Sequence, residues 1–145
     1  MDLLRQLEVG RKTEKFIIHV KNEEALQFAK VVGEWPLQQI DNDTTQFIVP
    51  PTFPIKYWQE VEMPWLDGVG PLVHGEQSFQ YDKPILTETT YYGDIQLVKV
   101  EEKDGKLGTV IWVEHELNGY DEDSWKPFFT CTTKAMFKEK TGEGR

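Results

Sequence analysis

The sequence predicts an α+β domain in which an antiparallel sheet packs on one helix. Three observations carry that prediction: helix starts at Asn22 and at Thr52-Phe53-Pro54, a glycine- and proline-rich connection after them, and alternating apolar and polar residues through most of the remaining chain. An Asp-Gly pair inside that alternating region adds a hairpin signal.

The first strand is predicted at Lys15 to Val20, where Phe16, Ile17, Ile18 and Val20 favour extended backbone and His19 interrupts the alternation. A helix follows over Glu23 to Val32. Asn22 reads as its N-cap, Glu23 and Glu24 suit the positive end of the helix dipole, and Ala25, Phe28, Ala29 and Val32 fall on one face before Gly33 stops it. Glu34 to Gln46, with Pro36, Asp41, Asn42 and Asp43, reads as a loop. A second helix starts at Thr52-Phe53-Pro54. Phe53, Tyr57 and Val61 form one stripe with Trp58 beside it, so this helix is predicted to be buried.

Pro64 ends that helix, and Met63 to Gly75 reads as a connection. Strands are then predicted at Gln77 to Tyr81, Gly93 to Lys103, Leu107 to Leu117 and Phe128 to Lys138. The third of these puts Ile111, Val113, His115 and Leu117 on one side; the last does the same for Phe129, Cys131, Thr133, Ala135 and Phe137. Lys103-Asp104-Gly105-Lys106 is predicted as a type I′ turn, and Asn118-Gly119 as the opening of a longer one running through Asp123. Glu139 to Arg145 is predicted to fray.

A length of 145 residues fits one domain over the whole of residues 1–145, large enough to fold without a staple. Sixteen Lys and Arg against twenty-five Asp and Glu give a net charge of −9 with no basic stripe, which argues against a nucleic-acid partner. Cys131 is the only cysteine and the three histidines are dispersed, so neither an internal disulfide nor a closed zinc site is expected. The first residues lack the apolar run of a signal peptide, and no run is long enough to span a bilayer. The expectation is a soluble cytoplasmic protein with no membrane partner and no metal.

The same elements carry a second pattern. Gly10-Arg11 precedes the first strand, Phe28-Ala29 lies in the first helix, and Val49-Pro50-Pro51-Thr52-Phe53-Pro54 opens the second. Val73-His74-Gly75-Glu76-Gln77, with Phe79 and Tyr81, leads into Lys83-Pro84-Ile85. Over roughly Leu7 to Lys138 this set resembles the MaoC-like dehydratases, specifically their N-terminal, FAS1-like dehydratase subclass. The resemblance implies a hot-dog fold, a curved antiparallel sheet wrapped around a long central helix, paired with a second such unit. It also implies reversible hydration of enoyl or (3R)-hydroxyacyl thioesters carried on coenzyme A or acyl carrier protein, with no other cofactor.

In that family an Asp and a His, in an Asp-x-Asn-Pro-x-His pattern after the first helix, perform the chemistry. Here the segment is one residue shorter and reads Gly33-Glu34-Trp35-Pro36-Leu37-Gln38; Glu34 lies near the expected Asp and Gln38 replaces the His. Glutamine does not titrate, and losing one positioned acid-base group lowers the rate by on the order of 10² to 10⁴. The chain therefore reads as the non-catalytic half of a hydro-lyase, supplying channel wall and dimer surface to a MaoC-type catalytic subunit, or pairing with itself. Two rivals stand beside this reading: a self-sufficient homodimeric dehydratase or thioesterase using His74, Glu76 or Glu34, and a module that binds acyl thioesters without chemistry.

Each candidate residue has a plainer role to weigh. His74 with Glu76 is a possible dyad, or His74 satisfies turn carbonyls or lines a dimer seam. His115, in phase with apolar neighbours, reads as a core or interface histidine, Cys131 as a buried thiol, and Glu34 as a surface carboxylate or a residual acid. Pro51, Thr52 and Phe53 open the second helix, whose first amides would suit a thioester carbonyl oxygen, or they fix the angle at which the chain enters the helix. Tyr57, Trp58 and Trp65 are either acyl-tunnel lining or core. The net charge favours coenzyme A over the generally acidic acyl carrier proteins, although Lys134, Lys138 and Lys140 form a local basic patch.

Overall fold

Phe16, Ile17 and Ile18 place their bulk on an extended backbone and form the first strand, β1 (Phe16–His19). The computed structural model describes residues 6–33, 46–106, 108–122, 124 and 126–138. The predicted loop between the two helices, apart from Gln46, and the predicted fraying tail lie outside the described residues.

Helix α1 (Asn22–Val32) begins one residue earlier than predicted, with Lys21 as its N-cap in place of Asn22. The Lys21 amide donates to Glu24 Oε1 at 3.2 Å, one half of a capping box; a lysine side chain has no acceptor to complete the other half. The Asn22 amide donates instead to Glu88 Oε2 at 2.7 Å. Gly33 stops the helix in the left-handed region, with φ of 80°. Ala25 and Ala29 are buried, but Val32 is 43% exposed, so the apolar face ends a turn sooner than its spacing implies.

The second helix corrects the prediction more strongly. A turn over residues 51–54 leads into α2 (Ile55–Glu60), only six residues long, and none of the six is fully buried. The implied central helix is thus short. Proline at 54 supplies the N-cap, Lys56, Gln59 and Glu60 leave α2 without an all-round apolar surface, and the burial passes to Phe53 just before it. A short 3₁₀ turn (Pro64–Leu66) then inserts Trp65, 1% exposed, into the core.

Four longer strands complete the sheet: β2 (Val73–Tyr81), β3 (Thr90–Gly105), β4 (Gly108–Tyr120) and β5 (Phe129–Lys138). Their order is β1-β3-β4-β5-β2, all pairs antiparallel. This curved five-stranded sheet with short helices on one face is the predicted hot-dog arrangement. The inner face carries Ile95, Leu97, Ile111, Val113, Leu117, Cys131, Ala135 and Phe137, packed in one core with Ile18, Ala25, Phe53 and Trp65. β2 reaches into the stretch read as a connection, because a bulge at Gly75 hides its alternation.

Both turn predictions shift. Gly105 pairs with Gly108, so the reversal follows the Asp-Gly pair, and Asp104 Oδ1 instead accepts the Thr109 hydroxyl across the ladder at 2.8 Å. Asn118 and Gly119 lie inside β4, which runs on to Tyr120. Gly119 serves contact here: any Cβ would collide with the ring of Phe129 on β5. Among the described residues no helix is long and apolar enough to cross a membrane.

Candidate functional site

One polar row crosses the apolar core of the inner face. Antiparallel partners share a face, and the register aligns Leu97 of β3 with His115 of β4, His115 with Thr133 of β5, and Thr133 with Gln77 of β2. The row therefore runs His115, Thr133, Gln77 from the core to the outermost strand. His74 joins it at the edge.

His115 is fully buried, as its phase predicted. Its ring stacks on Trp65 at a centroid distance of 5.9 Å, with Trp58 edge-on at 6.1 Å. Trp65 Nε1–H donates to His115 Nε2 at 2.8 Å, so Nε2 carries a lone pair and the proton of the neutral ring sits on Nδ1. That Nδ1, like the buried Nε1 of Trp58, has no hydrogen-bond partner among the described residues. Burial pushes the imidazole pKa down to about 4, which keeps the ring neutral and removes it as a proton carrier near neutrality.

Thr133, 1% exposed, donates its hydroxyl to Gln77 Oε1 at 2.8 Å. Gln77 Nε2 donates to Cys131 Sγ at 2.8 Å and to the Thr132 carbonyl at 2.9 Å. Burial raises the Cys131 thiol to about 12 despite the hydrogen bonds from its neighbours, so this cysteine is the buried thiol expected and no nucleophile. His74 Nε2 meets Gln77 Oε1 at 3.0 Å.

The suspected pairing of His74 with Glu76 does not form. The Gly75 bulge sets His74 opposite Ala135 and Glu76 opposite Lys134, and these two neighbours on β5 face opposite sides of the sheet. Glu76 lies on the outer face, where Lys134 Nζ approaches it at 3.3 Å beside a concavity of about 220 Å³ lined by Lys99, Trp112 and Glu114 among others. Glu34 and Gln38 lie outside the described residues. Another histidine and carboxylate do meet: His19 Nε2 is 3.7 Å from Glu88 Oε1, but Glu88 is held by the start of α1 and His19 Nδ1 by the Thr90 hydroxyl at 3.0 Å.

Pro51, Thr52 and Phe53 lie in the turn before α2, and several of the amides here are used locally. Phe53 N–H donates to the Pro50 carbonyl, Ile55 N–H to Thr52 and Tyr57 N–H to Pro54, while Pro51 and Pro54 have no N–H to offer. The Phe53, Ile55 and Tyr57 amides are thus spent on the turn and the start of α2. The Pro51 carbonyl accepts Tyr81 O–H at 2.6 Å, tying this turn to β2. Phe53 is buried edge-on against Phe28 and Tyr57, and Tyr57 and Trp58 are half-buried.

Gln77 and its network were not among the residues the sequence singled out as candidates. The signal lay in the quoted His-Gly-Glu-Gln run, but glutamine does not titrate and a search for acids and bases passes over it.

Residues 8–124 match the sequence model of a family described as FAS1-like, dehydratase domain region. No curated protein matches the sequence. Among solved structures, the fold resembles the truncated HadBC (3R-hydroxyacyl-ACP dehydratase) complex from Mycobacterium tuberculosis, with TM-score 0.67 and 17% identity over 88% of this chain and 96% of that one. It also resembles the ChsH1-ChsH2 complex from the same organism, with TM-score 0.69 and 13% identity over 97% and 91%. An (R)-hydratase from A. caviae involved in PHA biosynthesis aligns with TM-score 0.62 and 13% identity over 92% and 97%.

Proposed function

The chain belongs to the FAS1-like dehydratase domain family, and on that premise we propose that it is the non-catalytic half of an (R)-specific 3-hydroxyacyl-thioester dehydratase, or enoyl-thioester hydratase. The observation that carries this reading is Gln38, standing where the resemblance calls for a histidine. Removing a proton from C2 and delivering one to the departing hydroxyl needs two titrating groups within hydrogen-bond reach, and glutamine is neither acid nor base. The split of His74 and Glu76 onto opposite faces supports the same reading, since it leaves those two without a shared reaction centre.

In this role the chain contributes surface. Tyr57 and Trp58, partly exposed beside the turn at Pro51 and Thr52 and backed by the buried Phe53, offer aromatic surface to an acyl chain carried on coenzyme A or acyl carrier protein. The net charge of −9 favours the smaller carrier. Among the described residues β2 is an outermost strand with one side of its backbone unpaired by the sheet, a liability that a second hot-dog unit would remove. Two of the similar folds come from complexes, HadBC and ChsH1-ChsH2, which supports a MaoC-type companion over an isolated chain.

Co-expression with a companion bearing the Asp-x-Asn-Pro-x-His pattern tests the proposal. Co-elution, and crotonyl-CoA hydration at least tenfold above that of the companion alone, is expected. A companion equally active with and without this chain contradicts it.

A further inference from the structure

Gln77 has four hydrogen-bonding positions, and all four are filled. Its nitrogen donates to Cys131 Sγ and to the Thr132 carbonyl; its oxygen accepts the Thr133 hydroxyl and meets His74 Nε2. The Thr132 carbonyl can only accept, which fixes the amide nitrogen on that side and the oxygen toward His74. A carbonyl oxygen carries no proton, so His74 Nε2 must donate in this contact. A neutral His74 then holds its single proton on Nε2 and bears a lone pair on Nδ1. His74 is exposed, and among the described residues no other side chain hydrogen-bonds or pairs with it.

The Gly75 bulge makes this contact possible. In a regular strand residues three apart face opposite sides, whereas the extra residue puts His74 and Gln77 on the inner face together. We propose that Gln77 is a positioning residue that locks His74 as the Nε2–H tautomer, and that His74 Nδ1 accepts a hydrogen bond from the hydroxyl of a 3-hydroxyacyl thioester. The choice of ligand rests on the hydro-lyase reading above; the tautomer lock does not. An imidazole lone pair takes an O–H or N–H donor, and such a thioester offers both: the C3 hydroxyl on the acyl end and the amides of the carrier arm. The acyl end is the part suited to the apolar inner face, at whose edge His74 stands. The enoyl form lacks that hydroxyl and is the natural control.

Long-range proton–nitrogen spectra of the chain labelled with ¹⁵N-histidine, with His74→Leu identifying the resonance, read the tautomer directly. Wild type is expected to show Nε2–H with an unprotonated Nδ1. Gln77→Glu keeps an oxygen acceptor, so it should keep the tautomer; Gln77→Leu should give averaged nitrogen shifts. An Nδ1–H or averaged wild-type signal, or a Gln77→Leu signal that stays Nε2–H, overturns the lock. The ligand is tested by binding 3-hydroxybutyryl-CoA, crotonyl-CoA and free coenzyme A to wild type and His74→Leu. Loss of about tenfold for the hydroxy compound alone is expected, the ordinary contribution of one hydrogen bond. Equal loss for all three assigns the donor to the carrier arm and overturns the hydroxyl assignment, as does no loss for any. Failure of the hydro-lyase reading would show separately, as absent turnover in the reconstituted pair with the tautomer intact.

Discussion

Acid should loosen this fold through His115, and the size of the effect follows from its surroundings. Burial lowers the imidazole pKa from 6.5 to about 4 in the folded chain. Geometry points the same way: the free lone pair is on Nε2, which already accepts from Trp65 Nε1–H at 2.8 Å, so a second proton would set two donors head-on. The unfolded chain takes the proton first. Stability is therefore whole above about pH 6.5, declines as pH falls, and stops declining from this source near pH 4. At about 1.4 kcal/mol per pH unit the full loss is about 3 kcal/mol, of which about 2 kcal/mol falls between about pH 6.5 and about pH 5. Urea unfolding followed by tryptophan fluorescence in wild type and His115→Leu isolates it, because carboxylate contributions are common to both and cancel in the difference. The leucine variant starts from a lower plateau, having left the Trp65 N–H unpaired, but should lose about 2 kcal/mol less over that window. Parallel pH profiles would rule out His115 as the source of the acid loss.

Three further outcomes follow from single contacts. Gly119→Ala forces a Cβ into the ring of Phe129 and should destabilise the chain by about 1 to 3 kcal/mol, read as a lowered urea midpoint with an unchanged m-value. Cys131, 1% exposed and with its thiol raised to about 12, should resist a thiol reagent at neutral pH in the folded state and react fully in denaturant; rapid native labelling would contradict the packing of β2 on β5. Tyr81→Phe removes the bond to the Pro51 carbonyl and should lower stability by about 1 kcal/mol in thermal melts.

Much of the fold was legible because its signals are local. The acidic first turn and Gly33 bracketed α1 to within one residue, and strict alternation put the right five residues of β5 on the inner face. What failed depends on contacts distant in sequence. Asn118-Gly119 carries the composition of a turn, but Gly119 is small to admit the Phe129 ring, a requirement visible only once β4 and β5 are paired. The start of β2 was hidden because the Gly75 bulge breaks the two-residue period. The same bulge decides the site. Two residues apart on paper, His74 and Glu76 should share a face, and the extra residue separates them while bringing His74 to Gln77. Phase alone placed His115 in the core correctly, but its bond to Trp65, fifty residues away, is tertiary and left no trace in the sequence.

Steady-state hydration of crotonyl-CoA by the purified chain alone, followed as loss of the conjugated thioester absorbance, bears most directly on the claim that the acid and base reside in another subunit. The account predicts a rate indistinguishable from buffer, unchanged by His74→Leu. Vigorous turnover by the lone chain that vanishes in that variant would contradict it.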